Sequence, residues 1–182
     1  MDVASVSKEI VLITGGARSG KSQYAERRAI AMSGTRLYVA TAEAKDEEMV
    51  RRIAEHRERR DNQWRTIEAP LELTHALLVE RGRIDCALVD CLTLWLSNLL
   101  IRHDETYASE KVDELIEKLP QLNFHLLFVT NEVGWGIVPD NPLARKFRDL
   151  AGWTNQRVAR VATEVILMAA GIPIIAKKAA CS

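Results

Sequence analysis

Residues Gly15 to Ser22 read GGARSGKS and directly follow the apolar run Ile10–Val11–Leu12–Ile13. This is G-x-x-x-x-G-K-[ST] set behind a predicted strand, the pattern of a phosphate-binding loop. Its glycines allow a sharp turn in which backbone N–H groups curl around phosphates, while the helix that follows points its positive end at them. Lys21 would reach the β- and γ-phosphates, and the Ser22 hydroxyl would hold Mg²⁺. Gly15, Gly16, Ala17, Arg18, Ser19, Gly20, Lys21 and Ser22 are therefore the first candidate nucleotide contacts, with Lys21 also catalytic. A glycine-rich turn before a surface helix is the plainer reading, but it does not explain why a strand precedes and a helix follows.

A length of 182 residues suits a single domain spanning 1–182, and 47% hydrophobic residues are ample for one core. Basic and acidic residues balance at 25 each, so no global field favours nucleic acid or an acidic membrane. The start, MDVASVSKEI, lacks a basic n-region and an apolar h-region. The longest apolar stretch, Val165–Ala176, is broken by Gly171 and Pro173 and reads as two strands rather than a membrane span. Cys86, Cys91 and Cys181 are odd in number and show no C-x-x-C spacing, which argues for free thiols in a cytoplasmic protein.

Strands and helices alternate along the chain. Predicted strands cover Glu9–Thr14, Arg36–Ala40, Ala87–Asp90, Leu126–Thr130, Glu164–Met168 and Ile172–Ala176, with a short extended piece at Trp64–Glu68. Predicted helices cover Lys21–Met32 (capped by Gly34), Asp46–Arg60, Leu71–Arg81, Thr93–Arg102, Ser109–Leu119 and Leu143–Ala162. The Arg102–Ser109 link is expected to be exposed, and Asn131–Pro142 to be a loop. Continuous apolar strands alternating with helices imply an α/β fold of the P-loop, RecA-like kind: a mostly parallel sheet, helices on both faces, and an antiparallel edge strand. Ligands of such sheets sit beyond the carboxyl ends of the strands, which gathers the loop, Thr41, Asp90 and the Asn131 segment at one edge.

Asp90 ends the buried run Ala87–Leu88–Val89, the usual place for a carboxylate that binds Mg²⁺ directly or through water. Serving as a helix N-cap is its plainer role. Asp85, at the other end of that run, is expected to be solvated. His56 continues the inward stripe Met49, Val50, Ile53 of its helix and is surrounded by Arg51, Arg52, Arg57, Arg59 and Arg60. Two readings stay open on these residues. One is a solvated basic helix whose histidine lies at the core boundary. The other is a nucleophile: guanidinium neighbours disfavour the imidazolium, and the neutral ring attacks an α-phosphorus to expel pyrophosphate. His75, His103 and His125 are read as structural or solvated, and Trp95 as core. Trp135, flanked by glycines, could cover a ligand. N-K-x-D is missing, so guanine recognition does not follow from the residues.

Several longer blocks resemble one family. They are TGGARSGKS (Thr14–Ser22), YVATAEAKDEEM (Tyr38–Met49), RIAEHRERR (Arg52–Arg60), WRTIEAP (Trp64–Pro70), VDCLTLWLSNLL (Val89–Leu100), VTNEVGWGIVP (Val129–Pro139) and ARKFRDLAGWTNQ (Ala144–Gln156). Together they are similar to the bifunctional adenosylcobinamide kinase/adenosylcobinamide-phosphate guanylyltransferases of cobalamin biosynthesis, from about Ile10 to Lys177. The resemblance implies phosphorylation of adenosylcobinamide by ATP or GTP, then transfer of GMP from GTP to give adenosylcobinamide-GDP. It matches the guanylylated histidine to His56. It carries nucleotide contacts to the P-loop, to Thr41, Ala42 and Glu43, to Arg57, Glu58, Arg59 and Arg60, and to Glu68 and Asp90. It also implies a compact homo-oligomer, with a trimer as the expectation. Trp135 and Trp153 depart from the Met and Arg common at those positions. Two other readings compete with this one: a single-activity small-molecule kinase without a covalent intermediate, and a nucleotide-dependent switch.

Overall fold

The computed structural model describes residues 8–43 and 64–178. The predicted helix Asp46–Arg60 and Cys181 lie outside the described residues. The described strands are β1 (Ile10–Gly15), β2 (Arg36–Ala40), β3 (Trp64–Glu68), β4 (Cys86–Asp90), β5 (His125–Val129), β6 (Glu164–Ala169) and β7 (Ile172–Lys178). The described helices are α1 (Lys21–Ile30), α2 (Leu73–Val79), α3 (Leu92–Arg102), α4 (Glu105–Lys118) and α5 (Pro142–Val161).

The strands form one sheet in the order β3-β2-β4-β5-β1-β6-β7. Every pairing is parallel except β6 with β7, which gives the expected antiparallel edge. One strand, β5, separates the P-loop strand from the strand that ends in Asp90. The inner strands read as unbroken apolar runs because both of their faces are covered. Val11 and Ile13 of β1 pack with Leu88, Leu127 and the small Ala25 and Ala29 of α1. Leu12 joins Val89 and Phe128 on the other face, against Leu73, Leu77, Trp95, Val112 and Leu150 from the remaining helices. Trp95 is fully buried, as expected, and its Nε1 donates to Leu71 O at 2.7 Å.

Helix ends account for the main departures. Helix α1 stops at Ile30 rather than Met32, and Gly34 is not its cap. The buried Arg36 guanidinium instead donates to the carbonyls of Ala29, Ile30 and Met32, each at 3.0 Å, which satisfies the open helix end. Gly34 has φ +99° and lies against Asp85, whose Oδ2 accepts from Thr35 N at 2.7 Å; a Cβ there would fall 2.1 Å from that oxygen. Helix α2 begins two residues later than expected, at Leu73, after Trp95 and Asn98 side chains engage the carbonyls of Leu71 and Pro70. Helix α4 begins at Glu105 instead of Ser109. Asp104 caps it, with Oδ1 accepting from Tyr107 N at 2.8 Å, so only His103 and Asp104 of the expected link lie outside a helix.

Candidate active site

The glycine loop joins β1 to α1 with little room to spare. A Cβ on Gly15, whose φ is +147°, would lie 2.4 Å from Met168 O of the neighbouring β6. Only glycine lets β1 end so close to that strand. Gly20, with φ +91°, opens α1 without any side-chain cap, which leaves the first-turn N–H groups facing the cleft. The Lys21 ammonium folds back over the loop. Its Nζ donates to Gly16 O at 2.6 Å and lies 3.5 Å from Ser19 Oγ. Burial lowers its pKa from the ordinary lysine range, while Cys91 and Asp90 nearby work in the opposite direction.

Across the cleft, Asp90 ends β4 and accepts a hydrogen bond from Tyr38 Oη at 3.2 Å. Thr41, which follows β2, is fully buried, and its Oγ1 both donates to Cys91 O and accepts from Cys91 N at 2.8 Å. Asn98 Nδ2 holds the Thr41 carbonyl at 2.9 Å. Thr41 thus clasps the ends of β2 and β4 together and fixes the backbone on which Asp90 stands.

The third wall follows β5. Asn131 Nδ2 donates to Thr93 Oγ1 at 3.0 Å, and Thr130 Oγ1 donates to Asn155 Oδ1 at 2.8 Å. Glu132 is fastened to β1: its N–H donates to Gly15 O at 3.0 Å, and its Oε1 accepts from Thr14 Oγ1 at 2.9 Å. Asn155 Nδ2 of α5 lies 3.4 Å from the same Oε1. Sequence reasoning used TNEVG only as a family mark and gave Asn131, Glu132 and Asn155 no chemical part. The signal was there: polar residues placed directly after an apolar strand, at the edge where ligands of such sheets bind.

These walls enclose a cleft of about 960 Å³, near the upper end of the range for small-ligand sites. Ala17 to Ser22 and Asp90 all line it, together with Glu132 and Phe147. Thr41, Ala42, Glu43 and Glu68 sit at the same carboxyl edge but on the β2–β3 side, outside that lining. Glu43 pairs with Arg102 of α3. His56, Arg57, Glu58, Arg59 and Arg60 lie outside the described residues. Among the described residues no group of three or more His, Cys, Asp or Glu side chains gathers as a metal cage. Mg²⁺ does not need one, because it binds through one or two protein oxygens plus phosphates and water. The Ser22 hydroxyl and Asp90 carboxylate on opposite walls of one cleft fit that requirement. No described helix is long and apolar enough to cross a membrane.

A strand, glycine loop and helix at the carboxyl edge of a parallel sheet, with an acid-tipped strand one position removed, define a P-loop α/β protein. The chain belongs to the cobinamide kinase / cobinamide phosphate guanyltransferase family, whose profile matches residues 11–175. It is 47% identical to the bifunctional adenosylcobalamin biosynthesis protein CobP of Pseudomonas aeruginosa, over 90% of this chain and 94% of that relative. It is 39% identical to the CobU protein of the same description from Salmonella typhimurium and 38% identical to that of Escherichia coli, each over 91% of this chain and 98% of the relative.

Proposed function

We propose that this chain carries out both reactions in its family's name. It phosphorylates adenosylcobinamide with ATP or GTP, and it transfers GMP from GTP to adenosylcobinamide phosphate through a guanylyl-histidine on His56. The products of the second step are adenosylcobinamide-GDP and pyrophosphate. The observation that carries this reading is the shared cleft of Lys21 and Asp90 in a chain of this family.

The loop N–H groups and the α1 terminus hold the phosphates, and Lys21 neutralises charge that builds on the β–γ bridge. Ser22 and Asp90 would hold Mg²⁺, which supplies charge neutralisation on the phosphates when bound. His56 is the nucleophile toward the α-phosphorus, with Arg57, Glu58, Arg59, Arg60, Glu68 and the Thr41–Glu43 segment as further nucleotide contacts. Tethering by Thr41 supports Asp90 whether or not that segment also touches nucleotide. The whole chain acts as one domain in the cytoplasm, as a homo-oligomer in which a trimer is the expected form.

The test uses GTP labelled at the α- or γ-phosphorus, with and without adenosylcobinamide. The α-label should enter the protein as an adduct labile in acid and stable in alkali, and adenosylcobinamide should discharge it after phosphorylation. His56→Ala should form no adduct; normal labelling of that variant removes His56 as the nucleophile. Lys21→Ala should lose roughly 10²–10³-fold in both reactions, because both need the triphosphate held.

A further inference from the structure

We infer that Glu132 is a further catalytic residue, whose carboxylate takes the proton from the acceptor alcohol in the phosphorylation step. This role rests on the kinase half of the function proposed above. Backbone and side chain fasten Glu132 to the strand that leads into the phosphate loop, through Gly15 O at 3.0 Å and Thr14 Oγ1 at 2.9 Å. Asn155 adds a third hold at 3.4 Å on the same carboxyl oxygen, Oε1. The other oxygen, Oε2, has no hydrogen-bond partner among the described residues, and the residue is half-buried in the cleft wall. Oε2 is therefore the atom left for a ligand.

Its place along the nucleotide follows from Lys21. That ammonium sits 2.6 Å from Gly16 O, and the lysine of such a loop serves the β- and γ-phosphates. The Gly15–Gly16 end, where Glu132 is tied, is thus the γ end. A carboxylate facing a terminal phosphate weakens nucleotide binding by like-charge repulsion unless the chemistry uses it. Asp90 already offers a carboxylate for a cation.

Only one of the two reactions needs a base on its acceptor. In phosphorylation the alcohol oxygen bonds to the γ-phosphorus. The bond from that phosphorus to the bridging oxygen breaks, and its electron pair leaves with the nucleoside diphosphate. The hydroxyl proton passes to Glu132 Oε2 and then to solvent. In guanylyl transfer the attacking atom is an unprotonated imidazole nitrogen or a phosphate oxygen, and neither carries a proton to be removed.

Glu132→Gln in the full-length chain separates the two. It keeps the length of the side chain and an oxygen for Thr14. Transfer of γ-label to adenosylcobinamide should fall about 10²–10⁴-fold in kcat, the usual range for loss of a general base. The nucleotide KM should fall or stay level, because Gln removes the charge that repels the terminal phosphate, and adduct formation from α-labelled GTP at saturating nucleotide should stay near the wild-type level, which also reports a folded site. Glu132→Asp, which keeps a base but withdraws it by one methylene, should give an intermediate kinase rate with a normal adduct. Wild-type phosphorylation in Glu132→Gln overturns the role. Equal loss of both reactions in both variants overturns it too, since the carboxylate would then serve the nucleotide or the fold. A wild-type chain that forms the adduct yet phosphorylates no adenosylcobinamide would instead overturn the kinase reading itself.

Discussion

At the residue scale, the two described cysteines show how burial decides chemistry. Cys86 lies inside the sheet and its thiol is pushed up to about 12; Cys91, at the end of β4, is pushed up to about 11. Desolvation of the thiolate is the leading cause in both. A folded-state pKa raised above the unfolded value adds stability that is complete below the ordinary thiol value of 9.0 and is lost as pH climbs toward 11 and 12. The urea midpoint should therefore fall as pH rises above about 9, more in the wild type than in Cys86→Ala measured against its own neutral-pH value. A parallel fall in the two proteins would show that Cys86 does not contribute. In a Cys181→Ser background, a thiol reagent at pH 8 should modify neither remaining cysteine until the chain unfolds. The sequence sufficed to exclude disulfide and zinc-site spacing for these thiols. It could not show that Thr41 would meet the Cys91 backbone, because strand pairing alone brings those two residues together.

At the element scale, periodicity placed nearly every described strand and helix, because inner strands covered on both faces must be apolar throughout. Ends were harder to read, since they depend on partners distant in the chain. Arg36 finishes α1 from the next strand, and Trp95 and Asn98 hold the segment before α2 from the following helix, α3. Asp104 and Asn141 are exceptions: their caps are local, and aspartate before Glu105 and asparagine before Pro142 are readable start signals. Glycine at the end of β1 gives the sharpest mutational test of this scale. Gly15→Ala sets a methyl group 2.4 Å from the backbone oxygen of Met168, an atom fixed by the β1–β6 ladder. The strand must shift or lose pairing, so a loss of about 1–3 kcal/mol in unfolding free energy is expected, with reduced nucleotide affinity. Gly134→Ala is the control, because a Cβ there meets nothing within 4 Å. Equal midpoints for the two variants in urea would contradict the close approach of β1 and β6.

At the scale of the whole molecule, the β7 edge of the sheet is left open among the described residues. Helices cover the inner strands, yet β7 leaves Ile172 64% exposed and Ile174 48% exposed. These residues are two apart, so they share one face of the strand. An edge strand with unpaired backbone and exposed branched side chains invites another chain to pair or pack against it. Pro173, Lys177 and Lys178 restrain that tendency without covering the isoleucines. The edge therefore suits the proposed homo-oligomer better than it suits a monomer of 20.4 kDa. Ile172→Lys combined with Ile174→Lys keeps the strand and its pairing with β6 while placing charge on the exposed face. The wild type should sediment as an oligomer and the double variant as a monomer, with the guanylyl adduct still formed if each subunit holds its own P-loop site. A wild type that sediments as a monomer would remove the homo-oligomer. An oligomeric double variant would move the contact away from β7, toward a different surface such as the exposed Trp153 on α5.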